Sequence, residues 1–313
     1  MNGFTFARYR IRISPLEDMY LPDFKGSTFR GGFGGVFRRI VCVAPKQSCL
    51  ECMVAEKCAY RFVFETSGSP ESLAATYDNA PRPFVLEPPE TTRNHFAPGE
   101  VIEFHMTLFG RAIEYLPYFL LVFHTLGEQG LGRGRAKYDI LNVLSIGGDG
   151  LEYQVYDGKS RRVTPDTRVL SLEEPWGKMP QHLSEIRLLL LTPLRIKYNG
   201  NLVDHLEFHI LIRNLLRRLT MLYAFQEVAC PQIPYADVLE AARRVSIKSS
   251  DVRWYDWERY SSRQDTRMKL GGIVGSISYQ GELGAFMPLL RFGEIAHVGK
   301  STTFGLGKYR IVR

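Results

Sequence analysis

The sequence predicts an α+β protein made of two tandem domains of one plan, each closed by a glycine-rich loop, and three observations predict it. Stretches of matching order, residues 124–141 and 297–311, close the two halves: a histidine, glycines among polar residues, a Gly-x-Gly pair, then Lys-Tyr and an apolar run. Each half arranges its strand-like and helix-like periods as βαββαβ. The chain has 313 residues and 45% hydrophobic content, enough for two packed cores. The first domain is set at residues 1–180, with a cysteine-rich insertion at 42–66, and the second at 181–313.

The elements of the first half follow in order. Phe4, Phe6, Tyr9, Ile11 and Ile13 interleave with Thr5, Arg8, Arg10 and Arg12, the pattern of a half-buried strand. Residues 24–42 put Phe29, Phe33, Val36, Phe37, Ile40 and Val41 at near-helical spacing, with Arg30, Arg38 and Arg39 facing away. One short basic helix is expected there, despite Gly31, Gly32, Gly34 and Gly35. Residues 67–99 are proline-rich loop with a short strand at 84–86, and residues 101–108 alternate again, with His105 on the polar face. A helix at 113–126 leads into the first glycine loop and a strand at 140–146, and a hairpin turns near Gly158. This order fits a ferredoxin-like (RRM-like) domain.

The second half restarts with a buried apolar strand at 186–191, bounded by Pro193, and a basic turn holding Arg195, Lys197, Tyr198 and Gly200. Residues 202–226 read as the clearest helix: Phe208, Leu211, Ile212, Leu215, Leu219 and Leu222 form its stripe, while His209, Arg213, Arg217 and Thr220 gather opposite. A helix at 235–245, a strand at 272–279, a helix at 283–295, the second glycine loop and a strand at 309–312 complete the repeat.

Charge narrows the function. Forty basic against 33 acidic residues leave +7, which favours a polyanionic partner. Between the last helix pair, Arg253, Trp254, Tyr255, Trp257, Arg259, Tyr260, Arg263, Arg267 and Lys269 interleave cations with rings, as phosphate tracking and base stacking require. A nucleotide triphosphate is not expected, because Gly293 and Gly299 enclose five residues where a P-loop has four. No apolar run is long enough for a membrane span, and the N-terminus lacks the apolar core of a signal peptide, so a cytoplasmic location is expected. Cys42, Cys49, Cys52 and Cys58 form a C-x6-C-x2-C-x5-C cluster whose thiols suit a structural zinc, with reduced, metal-free cysteines as the alternative.

The paired loops carry a resemblance. Gly130, Gly132, Gly134, Lys137 and Tyr138 correspond in character to Gly305, Gly307, Lys308 and Tyr309, and two such loops, each closing half a chain, resemble the RAMP superfamily of CRISPR-associated RNA-binding proteins. Within it the chain is most similar to the Cas6 family of endoribonucleases that process precursor crRNA. The resemblance implies metal-independent cleavage of CRISPR repeat RNA, in which a 2′-hydroxyl attacks the adjacent phosphate and leaves a 2′,3′-cyclic phosphate and a 5′-hydroxyl, with no catalytic cofactor. It also implies RNA contacts from Arg133, Arg135, Lys137, Arg253, Arg259, Arg263, Arg267, Lys269, Gly299, Thr303, Gly305 and Gly307. His297, beside the loop, is the candidate general acid or base, and Lys300 the cation for phosphoryl charge. The family often carries a general base near its first helix, frequently histidine, whereas here no histidine precedes His95. Tyr20, Lys25 and Arg30 are the alternatives in that region. The competing expectation is a non-cleaving RNA-binding subunit of a CRISPR effector complex, with other Cas proteins as partners.

Overall fold

The computed structural model describes residues 3–65, 81–172, 182–226, 228–261 and 266–312. They divide into two units: residues 2–171 with 221–229 form the N-terminal unit, and residues 172–220 with 230–313 form most of the C-terminal one.

The N-terminal unit runs β1 (Thr5–Pro15), β2 (Met19–Tyr20), α1 (Gly26–Arg30), α2 (Phe33–Val41), β3 (Phe84–Glu87), β4 (His95–Phe96), β5 (Ile102–Phe109), α3 (Leu116–Gln129), β6 (Tyr138–Ile146), β7 (Glu152–Asp157), β8 (Arg162–Val163) and β9 (Leu170–Ser171). The alternation read from residue 4 onward places β1 at the centre, where Tyr9, Ile11 and Ile13 are fully buried. It pairs antiparallel with β5, in register Ile11↔Phe104, and with β6. The sheet order is β3-β5-β1-β6-β7-β8, with β9 also on β1. The strands β3-β5-β1-β6 thus stand in the ferredoxin-like order, second, third, first, fourth.

The expected single helix at 24–42 is two helices. Gly31 is extended and Gly32 takes φ 69°, which breaks the hydrogen-bond ladder between α1 and α2. Their apolar stripe behaves as expected: Phe29, Phe33, Val36 and Phe37 are buried, and Phe33 meets Phe119 and Phe123 of α3 at ring separations of 5.5 and 5.0 Å. Arg30 does not face away. It is buried, with its guanidinium 5.0 Å from the Phe64 ring and 5.4 Å from Phe84, where cation–π attraction replaces part of its hydration.

The C-terminal unit continues with β10 (Glu185–Leu194), β11 (Lys197–Tyr198), β12 (Asn201–Leu202), α4 (Phe208–Tyr223), α5 (Tyr235–Arg243), β13 (Ser246–Tyr255), β14 (Glu258–Ser261), β15 (Thr266–Lys269), β16 (Gly272–Gln280), α6 (Met287–Ala296) and β17 (Tyr309–Val312). Its sheet, β13-β16-β10-β17, repeats the strand order of the first unit. The repeat inferred from the two loops is therefore a repeat of topology. Pro193 does not end the strand, because β10 continues to Leu194 across a register irregularity after Leu190. The helix expected from residue 202 starts at Phe208. Residues 197–202 instead fold as a tight hairpin over Asn199 and Gly200, whose φ values of 49° and 84° suit a two-residue hairpin turn. Once begun, α4 is as read, with Leu211, Ile212, Leu215, Leu219 and Leu222 fully buried. β13 supplies the second strand of this repeat, although most of its residues are exposed and no clean alternation marks it in the sequence. Among the described residues no helix is long and apolar enough to cross a membrane.

Candidate nucleic-acid interface

Both glycine loops are fixed by the same device. Tyr138, just after the first loop, donates its hydroxyl to the Phe123 carbonyl of α3 at 2.7 Å, and Tyr309, just after the second, donates to Leu290 of α6 at 2.5 Å. Each buried phenol lies against a helix glycine, Gly127 or Gly293, where a side chain would collide with the tyrosine. Burial raises both phenol pKa values well above the ordinary range. The tyrosine of the Lys-Tyr pair that marks each loop in sequence is thus a lock between helix and following strand.

The second loop is stitched to the end of β10. Thr192 Oγ1 donates to the Gly305 carbonyl at 2.7 Å and accepts the Lys308 N–H at 2.9 Å, while Gly307 N–H reaches Pro193 at 3.1 Å. His297 is fully buried as the residue that ends α6, with φ 57°, and its Nδ1 lies 3.1 Å from the Leu306 carbonyl. Arg218 of α4, also buried, donates Nε to the Ala296 carbonyl at 2.7 Å. Burial pulls its pKa down to about 9. Thr303, Gly305 and Gly307 are buried as well, so the structure places these four expected site residues in the loop's frame, where side chain and backbone hold its shape. Lys300 is exposed and Gly299 partly so.

Around Lys300 the structure assembles cations that the sequence scatters over a hundred residues. Its N–H donates to the Arg195 carbonyl at 2.8 Å, which ties the loop to the basic turn. Partial burial, then the like charges of Lys197, Arg195 and Arg217, lower the Lys300 ammonium below the ordinary lysine range. Next to this group Arg213 lies 5.5 Å over the Tyr198 ring, and Tyr198 meets His209 edge-on at 5.7 Å. Such a cluster is held at electrostatic cost, and a phosphate among the four charges relieves it. The basic turn and the basic face of α4 were each visible in sequence. Their convergence on Lys300 was not, because it depends on how β10, α4 and the loop pack.

In the N-terminal unit, Arg133, Arg135 and Lys137 are all exposed on the first loop, which closes through Leu131 N–H to the Ala136 carbonyl at 2.9 Å. Arg253 and Trp254 are exposed on β13. Arg263 and the side chains of Arg259, Arg267 and Lys269 lie outside the described residues, although β14 and β15 pair as a hairpin.

Cys42, Cys49, Cys52 and Cys58 line a single cavity together with Tyr60 and Arg61, all four as free thiols. Burial raises the Cys49 thiol, with Glu65 adding to the shift and Arg38 opposing it. Among the described residues no group of three or more His, Cys, Asp or Glu side chains converges as a metal cage. The donor set suits zinc, and binding would require the four thiols to draw inward.

Comparison with known proteins bears on both halves. Residues 4–168 match the family AF_1859_N, described as an N-terminal domain, and residues 188–309 match the family CRISPR-associated endoribonuclease Cas6. An uncharacterized protein of Archaeoglobus fulgidus is 29% identical over 93% of each chain. Among solved structures, a Cas6 product complex aligns with a TM-score of 0.59 at 15% identity, over 98% of this chain and 100% of that one. Thermus thermophilus Cas6 aligns at 0.55 and 12% identity over 100% of both. A chain of a partial Cas6-RT-Cas1–Cas2 complex aligns at 0.58 and 13%, over 99% of this chain but 46% of its own length. At these identities the structural likeness speaks to fold, and the two-domain plan agrees.

Proposed function

This chain belongs to the AF_1859_N family by its N-terminal half and is a CRISPR-associated protein of the Cas6/RAMP type, and we propose that it is an endoribonuclease that processes precursor crRNA. The observation that carries the RNA-binding part is the convergence of Lys300, Arg195, Lys197 and Arg217 beside the second glycine loop. Four like charges held together fit a polyanion, and phosphates of a bound strand supply the opposite charge. In this reading the cleavage is metal-independent transesterification, giving a 2′,3′-cyclic phosphate and a 5′-hydroxyl. Lys300 and its neighbours hold backbone phosphates. His297, inside the fold and bonded to the loop it precedes, is a positioning residue.

The burial of His297 favours a second reading, a non-cleaving RNA-binding subunit that shares the fold and works with other Cas proteins. Incubating the protein with a repeat-containing RNA in excess EDTA separates the two. Product ending in a cyclic phosphate supports the nuclease, and tight binding without product supports the subunit. We also propose that the cysteine segment takes a structural zinc, since its four cysteines line one cavity.

A further inference from the structure

Of the three residues near the first helix that offered an alternative to His297, two are sequestered. The Lys25 side chain is buried and donates Nζ to the Thr91 carbonyl at 2.9 Å, and Arg30 is packed against phenylalanine rings. Tyr20 remains, half exposed, and it does not stand alone. β2 pairs with β4 in the register Tyr20↔His95, which stacks the two rings at 4.7 Å between centroids and 27° between planes. His95 Nε2 is 2.7 Å from Asp18 Oδ1, and both side chains are open to solvent, 48% and 59% exposed. The first glycine loop docks on the same pair. Arg133 N–H donates to the Tyr20 carbonyl at 2.9 Å, an approach that leaves no room at Gly132 for a side chain, since a Cβ there would stand 2.2 Å from that oxygen. The loop that carries the exposed Arg133, Arg135 and Lys137 is thereby anchored by its backbone to the strand that holds Tyr20.

The geometry points to His95, oriented by Asp18 and flanked by Tyr20, as the group that takes the 2′-hydroxyl proton in RNA cleavage. The inference rests on the nuclease reading above. A carboxylate on Nε2 selects the tautomer with the proton on that nitrogen, which leaves Nδ1 as the basic site. His95 stacks on Tyr20, and the half of the ring that stays exposed offers a surface on which a base can pack. A ribose is one bond from its base, so a nucleobase on Tyr20 carries its 2′-hydroxyl to the edge of the imidazole. Nδ1 accepts that proton, the 2′-oxygen bonds to the adjacent phosphorus, and the bond from phosphorus to the 5′-oxygen breaks. The departing oxygen takes a proton from water, and the imidazolium returns its own to solvent. Arg133 and Arg135 face the charge that develops on the phosphate. The charged groups shown near His95 are Asp18 and, from the segments beside it, Arg93, which donates to the His95 carbonyl at 3.2 Å, and its ion-pair partner Glu100. Asp18 acts through His95 and is a positioning residue.

The test is single-turnover cleavage of a repeat-containing RNA in EDTA, with binding measured in parallel on the full chain. His95→Ala and His95→Gln are expected to slow cleavage about a hundredfold or more with affinity changed less than about threefold, and added imidazole restores part of the rate to His95→Ala. Asp18→Asn slows cleavage at unchanged affinity and Asp18→Glu recovers it, whereas Tyr20→Ala weakens binding roughly tenfold and Tyr20→Phe does not. Both His95 substitutions lie on the surface, and an unchanged melting curve confirms folding. If the wild type cuts and both His95 variants cut equally fast, the inference fails while the nuclease reading stands. If the wild type binds the RNA without cutting it, both fail.

Discussion

Replacing Gly307 with alanine is expected to unlock the second glycine loop. The residue has φ 74°, and a Cβ built on it would lie 1.8 Å from the Val298 carbonyl oxygen. The left-handed conformation costs an L-residue roughly 1–2 kcal/mol. The collision is with backbone, so it is relieved only by separating the two strands of the loop, and that sacrifices the Val298 N–H bond to Gly307 and the Gly307 N–H bond to Pro193, both 3.1 Å. At about 0.5–1.5 kcal/mol each, these bring the total to about 3 kcal/mol. For a unit of this size that lowers its melting temperature by about 10 °C. Circular dichroism of the full chain during heating measures it, and RNA affinity should fall in parallel because Lys300 is held through the same loop. A variant that melts within about 2 °C of the wild type would refute the claim that this glycine is required by close backbone approach.

Three further outcomes follow from the site and the core. Lys197→Ala and Arg217→Ala, both at exposed positions beside Lys300, should each flatten the slope of log affinity against log salt by about 0.7 while leaving the melting curve unchanged, as loss of one phosphate contact to a single strand does. Burial raises the Tyr9 phenol to about 12, above its unfolded value near 10, so its contribution is intact below pH 10 and is lost as pH climbs from 10 to 12. Urea unfolding of wild type and Tyr9→Phe across that range should show the wild type losing up to about 2.7 kcal/mol relative to the variant, and a pH-independent difference would contradict it. Protein purified without chelator should carry about one zinc per chain by elemental analysis and melt lower once stripped, with Cys49→Ser and Cys52→Ser losing the metal. A metal-free chain with an unchanged melting curve removes the zinc from the account.

What the sequence by itself determined is what local periodicity and repetition can encode. The alternation that marks β1, the stripe that buries α4 and the βαββαβ order of the first half are set by residues within a few positions of one another, where backbone period decides which side chains share a face. The boundaries that differ from the sequence pattern also have local causes: the break at Gly31 and Gly32, and the Asn199–Gly200 turn that delays α4 to Phe208. Only the tertiary structure decided which side chains meet solvent and which meet each other. His297 and Thr303 look in sequence like members of a ligand loop, yet packing turns them inward to hold it, while Lys300 two residues earlier than Thr302 stays outside among cations contributed by β11 and α4. Asp18 and His95 are 77 residues apart, and nothing in either neighbourhood marks a pair. Their meeting depends on two short strands whose pairing is a property of the folded chain, and so the candidate chemistry was legible only there.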